Sequence, residues 1–135
     1  MTRILFACVM NSCRSQMAEG FCRELGRDVE CASSGSHPGG GVHPDAVRAM
    51  AEVGIDISGH RSKGFRELRG EEFDYFVSMG CGETCPFWPG ARELRWEIPD
   101  GCGGTMDQVR EARDMIREKV VALLRELGCL SKGQD

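Results

Sequence analysis

Between the apolar run Ile4-Leu5-Phe6-Ala7 and a stretch with helical periodicity stand Cys8, Val9, Met10, Asn11, Ser12, Cys13, Arg14 and Ser15. The spacing of Cys8 and Arg14 allows one tight curl, so a strand is predicted to end at the cysteine and a helix to begin at the arginine. In such a curl successive backbone N–H groups point inward, and a helix N-terminus closes the ring around a tetrahedral oxyanion. The donors of Val9, Met10, Asn11, Ser12 and Cys13 also favour the thiolate form of Cys8, which a nucleophilic cysteine requires. Arg14 adds a planar fork whose paired donors match two oxygens of phosphate or arsenate. Ser15 can donate to the sulfur, and Asn11 tolerates the left-handed backbone that a tight loop demands.

The rest of the chain sets bounds on that chemistry. At 135 residues, one domain over 1–130 is expected, with a frayed tail at 131–135. A hydrophobic fraction of 41% with 28% charged residues fits a soluble globular protein. There is neither a signal-peptide pattern nor an apolar run of membrane length, so a cytoplasmic protein without a membrane partner is expected. Eight cysteines are many for such a chain, but their uneven spacing favours redox use over a structural disulfide framework. The net charge of −4, with no basic stripe, excludes the electrostatic footprint of a nucleic-acid binder. A monomer is expected.

Strand and helix signals alternate along the sequence. A buried strand over 4–8 is followed by a helix over 15–25, with Met17, Ala18, Phe21, Cys22 and Leu25 on one face and Gly26 as its stop. A second strand over 29–33, a glycine-rich loop over 34–41 and a helix from Pro44 to Gly54 come next. A third strand is predicted over 73–79, a loop over 80–90 and a short fourth strand over 94–98. Thr105 and Gln108 form a capping box for a last helix with a core stripe of Val109, Ala112, Ile116, Val120, Leu123 and Leu127. This alternation predicts an α/β fold, a single-domain three-layer α/β/α arrangement around a four-stranded parallel sheet. A strand order of 2-1-3-4 brings the loops after strands one and three together at the switch point.

Two further features lie at that edge. Cys81 and Cys85, on a loop with glycines at 80 and 82, form a flexible dithiol. The pair reads as redox-active; a passive pair, or half a zinc site completed by Cys102 and a histidine, are the competing readings. Asp100 follows the fourth strand, where a carboxylic acid can protonate a leaving oxygen, although Pro99-Asp100-Gly101 is equally an ordinary turn. Cys13, Cys22, Cys31 and Cys129 read as small apolar residues, Trp88 as loop cover and Trp96 as core. His37, His43 and His60 show no metal-ligand spacing and read as solvated loop residues, so no metal site is expected.

From Cys8 through Arg14-Ser15-Gln16-Met17-Ala18-Glu19-Gly20-Phe21, the chain resembles the low-molecular-weight phosphatase fold family, and its arsenate reductase branch most of all. Gln16 stands where the phosphatase branch typically has proline, and Met79-Gly80-Cys81 with Cys85-Pro86 is similar to the reductases' redox loop. Ser33-Ser34-Gly35, Val53-Gly54-Ile55-Asp56-Ile57-Ser58 and the stretch 96–100 extend the likeness over nearly the whole chain. The family usually has Asp-Pro at its general acid, where this chain has Asp100-Gly101. Its loop between the redox cysteines is shorter than in the best-known members.

The resemblance implies a reaction. Arsenate, with phosphate as a competing oxyanion, binds in the first loop; Cys8 attacks arsenic and Asp100 protonates the departing hydroxide. Cys81 then attacks Cys8 and releases arsenite, and Cys85 attacks Cys81 to present a disulfide to thioredoxin or another thiol reductant. No cofactor is implied. Lys63 stands where some members have an aspartate that helps bind potassium, while Asn11, Glu19 and Ser33 match the rest of that site, so Lys63 is expected to stabilise the loop in the cation's place. The rivals are a low-molecular-weight protein tyrosine phosphatase acting through phosphocysteine, which would not need Cys81, and a redox-sensing module that has lost turnover. The second requires an impaired first loop, and residues 8–15 carry no such defect.

Overall fold

The computed structural model of the chain describes residues 1–80 and 86–131. Its strands are β1 (Thr2–Cys8), β2 (Val29–Gly35), β3 (Tyr75–Ser78) and β4 (Arg92–Arg95), and its α-helices are α1 (Arg14–Leu25), α2 (Pro44–Ala51) and α3 (Met106–Glu126). The strands form one sheet in the order β2-β1-β3-β4, every pair parallel. β1 lies inside the sheet, which is why Ile4, Leu5, Phe6 and Ala7 run without polar alternation and are fully buried.

Alternate β1 residues face different cores. Ile4 and Phe6 join Val77 and the inner faces of α1, α2 and α3, among them Met17, Phe21, Met50, Ile116 and Val120. Leu5 and Ala7 join Phe76, Phe73 and Leu68 beneath Phe65 and Trp88. The second face is covered by a short 3₁₀ turn, Phe65–Leu68, and by Trp88, whose indole N–H donates to the Glu71 carbonyl at 2.9 Å. The Thr105 hydroxyl accepts from Gln108 N at 3.2 Å while the Gln108 side chain accepts from Thr105 N at 2.9 Å, the reciprocal cap expected of α3.

β3 and β4 differ from the predicted ranges 73–79 and 94–98. β4 pairs from Arg92, opposite Tyr75, because the partner strand and not the local apolar run decides where a ladder begins. The chain then leaves the sheet so that Trp96 and Ile98 enter the core, Trp96 lying 5.9 Å from Phe6 between ring centroids.

The cysteines bring a larger correction. Cys13, Cys22, Cys31 and Cys129 are buried, as small apolar residues would be, yet Cys13 is disulfide-bonded to Cys102 and Cys22 to Cys31. Structural pairing therefore exists alongside any redox use. Cys22 on α1 meets Cys31 on β2 because that helix packs beside that strand, and Cys13 meets Cys102 where the loops after β1 and β4 converge. Ser131 N donates to the Leu25 carbonyl at 2.8 Å, so the last described residue is tied to α1; the remainder of the expected tail lies outside the described residues.

Candidate active site

β1 ends at Cys8 and α1 begins at Arg14, and the intervening loop has each of its carbonyls drawn outward. Cys8 O accepts from Ser36 N, Val9 O from His37 N, Met10 O from Gly39 N and the Ser62 hydroxyl, Ser12 O from His43 N, and Cys13 O from Met17 N. Asn11 O accepts from the Gln16 amide at 3.1 Å. Because the peptide unit is planar and trans, a carbonyl turned outward turns the next residue's N–H inward. The amides of residues 9–14 therefore face the hollow of the loop, a concave set of donors at the positive end of α1.

Asn11 makes the curl possible. It is fully buried, adopts a left-handed φ of 51°, and distributes its side chain among three partners. Its Nδ2 donates to Ser15 Oγ at 2.8 Å, while its Oδ1 accepts from Gln16 Nε2 at 3.0 Å and from Lys63 N at 2.9 Å. Asn11 thus occupies one acceptor position on Ser15, whose hydroxyl lies 2.9 Å from Cys8 Sγ and donates to it when the sulfur is a thiolate. Beyond the curl, Gly35 leaves room that a Cβ would take, 2.6 Å from Val9 O and 2.8 Å from Asn11 N.

Arg14 reaches across the sheet edge. Its Nη1 donates to Ile98 O at 3.2 Å and its Nη2 lies 3.8 Å from Asp100 Oδ2. Its guanidinium also presses on Gly80, which has φ 90° and no Cβ to collide with it. Cys8, Val9, Met10, Ser12, Cys13, Arg14, His43, Asp100 and Cys102 line one pocket of about 290 Å³. The nucleophile, the arginine and the acid named from sequence thus share a cavity; Cys81 and Cys85 lie outside the described residues. Cys13, Asp100 and Cys102 bring ligand atoms within 4.8 Å of one another, but the two sulfurs are spent on each other and not available to a metal.

Behind the loop sits a buried carboxylate. Glu19, 3% exposed, accepts from the Ser33 hydroxyl at 2.6 Å and from Arg23 Nε at 2.7 Å, with Lys63 Nζ at 3.8 Å on one oxygen and His60 Nδ1 at 3.8 Å from the other. Lys63 Nζ also donates to Arg61 O at 3.4 Å. His60 is not the solvated histidine expected: its Nδ1–H donates to Gln16 Oε1 at 3.0 Å, and burial pushes its imidazole below the ordinary value against the opposing pull of Glu19. Arg23 was not named from the sequence, although its i,i+4 spacing from Glu19 is a signal that points to it. His60 carried no such signal, since 44 residues separate it from Gln16.

Residues 3–132 match the family model described as low molecular weight phosphotyrosine protein phosphatase. The "Glutaredoxin arsenate reductase" of Synechocystis sp. is 35% identical over 130 residues, covering 94% of this chain and 99% of that protein. Among solved structures, "An arsenate reductase in the phosphate binding state" superposes with a TM-score of 0.82 at 34% identity, over 93% of this chain and 98% of the other. A thioredoxin-dependent arsenate reductase of Corynebacterium glutamicum gives a TM-score of 0.80 at 32% identity, over 95% of this chain and 62% of that one.

Proposed function

The chain belongs to the low molecular weight phosphotyrosine protein phosphatase family, and from that premise we propose that it is an arsenate reductase that works through a cysteine nucleophile and an intramolecular disulfide relay. The observation that carries this reading is the loop of outward carbonyls with the Ser15 hydroxyl 2.9 Å from Cys8 Sγ. It is a preformed receptor for a tetrahedral dianion, set around a sulfur.

Arsenate enters with its oxygens on the amides of residues 9–14 and on the Arg14 fork. Cys8 attacks arsenic while Ser15 stabilises the thiolate and Asp100 passes a proton to the departing hydroxide, leaving a thiol–arsenate adduct. Cys81, as thiolate, attacks Cys8 Sγ: the S–As bond breaks, its electron pair stays on arsenic, and arsenite departs in the trivalent state. Cys85 attacks Cys81 next, freeing Cys8 and leaving a Cys81–Cys85 disulfide that an external dithiol reduces. Names of the similar proteins support a carrier of the glutaredoxin or thioredoxin class. Lys63 supports the loop from behind in place of a potassium ion, a reading favoured by its ammonium lying 3.8 Å from Glu19.

No described helix is long and apolar enough to cross a membrane. A cytoplasmic monomer without nucleic-acid partners fits a net charge of −4 and a reaction that consumes reducing equivalents.

The same loop can bind aryl phosphate, and phosphocysteine hydrolysis is the second reading. Arsenite release and aryl phosphate hydrolysis, measured side by side with and without a thioredoxin or glutaredoxin system, separate the two. The reductase reading expects Cys81→Ser to stop arsenite release and to leave aryl phosphate hydrolysis largely intact. Cys85→Ser should complete about one turnover and stall as a Cys8–Cys81 disulfide, visible by non-reducing peptide mapping. Sustained turnover by Cys81→Ser with the same reductant would remove the relay.

A further inference from the structure

The pocket holds a pair of sulfurs that the reaction above does not use. Cys102 lies two residues beyond Asp100, and Cys13 is the N-cap residue of α1, directly before Arg14. Their disulfide spans 89 residues of sequence with Cα atoms 6.2 Å apart, and both cysteines line the cavity with Cys8 and Asp100. Cys8 itself remains a free, buried thiol. The bond therefore joins the segment that carries the acid to the segment that carries the nucleophile, and leaves the nucleophile available.

The other attachments of the acid segment are slender. Gly104 N donates to Gly101 O at 3.1 Å, Arg14 Nη1 donates to Ile98 O at 3.2 Å, and the Asp100 side chain is 54% exposed and 3.8 Å from Arg14. Asp100 is followed by Gly101, which is packed so closely that a Cβ there would lie 2.5 Å from Gln108 O of α3. Beside the two Arg14 contacts, the disulfide at Cys102 is the covalent tie among the described residues between this segment and the oxyanion loop.

We propose that Cys13–Cys102 is a positioning disulfide, which holds Asp100 over the oxyanion loop at the distance from which it protonates the leaving oxygen. The proposal rests on the reading of Asp100 as the general acid. Cys102 touches no reacting atom and acts only through Asp100.

The test is single-turnover arsenite release across pH, which takes its two electrons from the chain's own Cys8 and Cys81 thiols and needs no added reductant. A positioned general acid is worth roughly 10² to 10⁴ in rate, so Asp100→Asn should slow the reaction about a hundredfold and Cys102→Ala about tenfold. Arsenate affinity should be nearly unchanged in Cys102→Ala, because the loop amides and Arg14 are untouched. The deciding variant carries both substitutions: with Asp100 already Asn, Cys102→Ala should cost nothing further, and the pH profiles with and without Cys102 should coincide in that background. If the two losses multiply, or if Cys102→Ala alone is silent while Asp100→Asn is slow, the disulfide does not position the acid. Should Asp100→Asn itself be at full rate, the acid reading falls, and the tether with it. Alkylation and peptide mapping of active wild-type protein should find Cys8 labelled and Cys13–Cys102 still linked, whatever the folding yield of the variants. Full labelling of Cys13 and Cys102 in protein of undiminished single-turnover rate would equally overturn the proposal.

Discussion

The loop over residues 8–13 has its carbonyls tied to Ser36, His37, Gly39, Gln16, His43 and Met17, and its key side chain, Asn11, buried among three partners. Across the same pocket, the segment around Asp100 has one turn hydrogen bond, an arginine contact and a disulfide, and its carboxylate is half exposed. The first region binds with its backbone, so its geometry has to be complete before substrate arrives. In the proposed reaction the second delivers a proton, which asks for one atom at the right distance at one moment. On the proposed reading, preorganisation is distributed over many weak bonds on one side and rests chiefly on one covalent bond on the other.

That contrast is open to direct challenge. The largest effects should come from the loop side. Cys8→Ser should reduce arsenite release to background, and Arg14→Lys, which turns a bidentate fork into a point charge, should lower kcat/KM by about 10² to 10³ with a raised KM. Near wild-type kinetics for Arg14→Lys would mean that the guanidinium merely fills space. Next comes Gly80→Ala, which places a Cβ in the path of the Arg14 guanidinium at a φ of 90°. It should cost about tenfold in kcat/KM through displaced Arg14, with only about 1–2 kcal/mol of backbone strain; a large drop in melting temperature at unchanged kcat/KM would reverse that assignment.

Lys63→Asp probes the support behind the loop. The wild type should respond weakly to potassium in both melting temperature and KM for arsenate, and the variant should become potassium-dependent; strong potassium stimulation of the wild type contradicts the role given to Lys63. The smallest effect is a pH slope. His60 is held below its ordinary value of 6.5 by burial, so the unfolded chain takes up its proton more readily than the folded one. The stability His60 contributes is complete above pH 6.5 and is lost as pH falls below it toward the lower folded value. Melting temperature should therefore fall between pH 7 and pH 5, and fall less in His60→Gln. Glu52, held at about 2 by Arg110 and Arg113, contributes stability that declines only as pH falls from 4.5 toward 2, outside that window.

Much of the site was legible because it is local. The strand, curl and helix over Cys8, Arg14 and Ser15 are contiguous, while the strand order that sets the loops after β1 and β3 side by side came with the family resemblance. The Thr105–Gln108 cap is readable for the same reason, since both partners lie within one turn. What escaped is what the topology alone brings together. Cys13 and Cys102 are 89 residues apart, and nothing near either predicts the other. His60 looked solvated until the chain folded it against Gln16 and Glu19. β4 began earlier than its apolar residues because pairing with Tyr75–Ser78, not composition, set its start.

The outward carbonyls have a consequence for how such a loop can change over generations. If the oxyanion is met by peptide N–H groups, as proposed, the side chains of Met10, 52% exposed, and Ser12 contribute nothing to the cradle that another L-residue could not supply. Those positions can drift, or be recruited to recognise a bulkier ester around the same anion, while Asn11 between them cannot. A single ring of backbone can in this way outlast a succession of substrates.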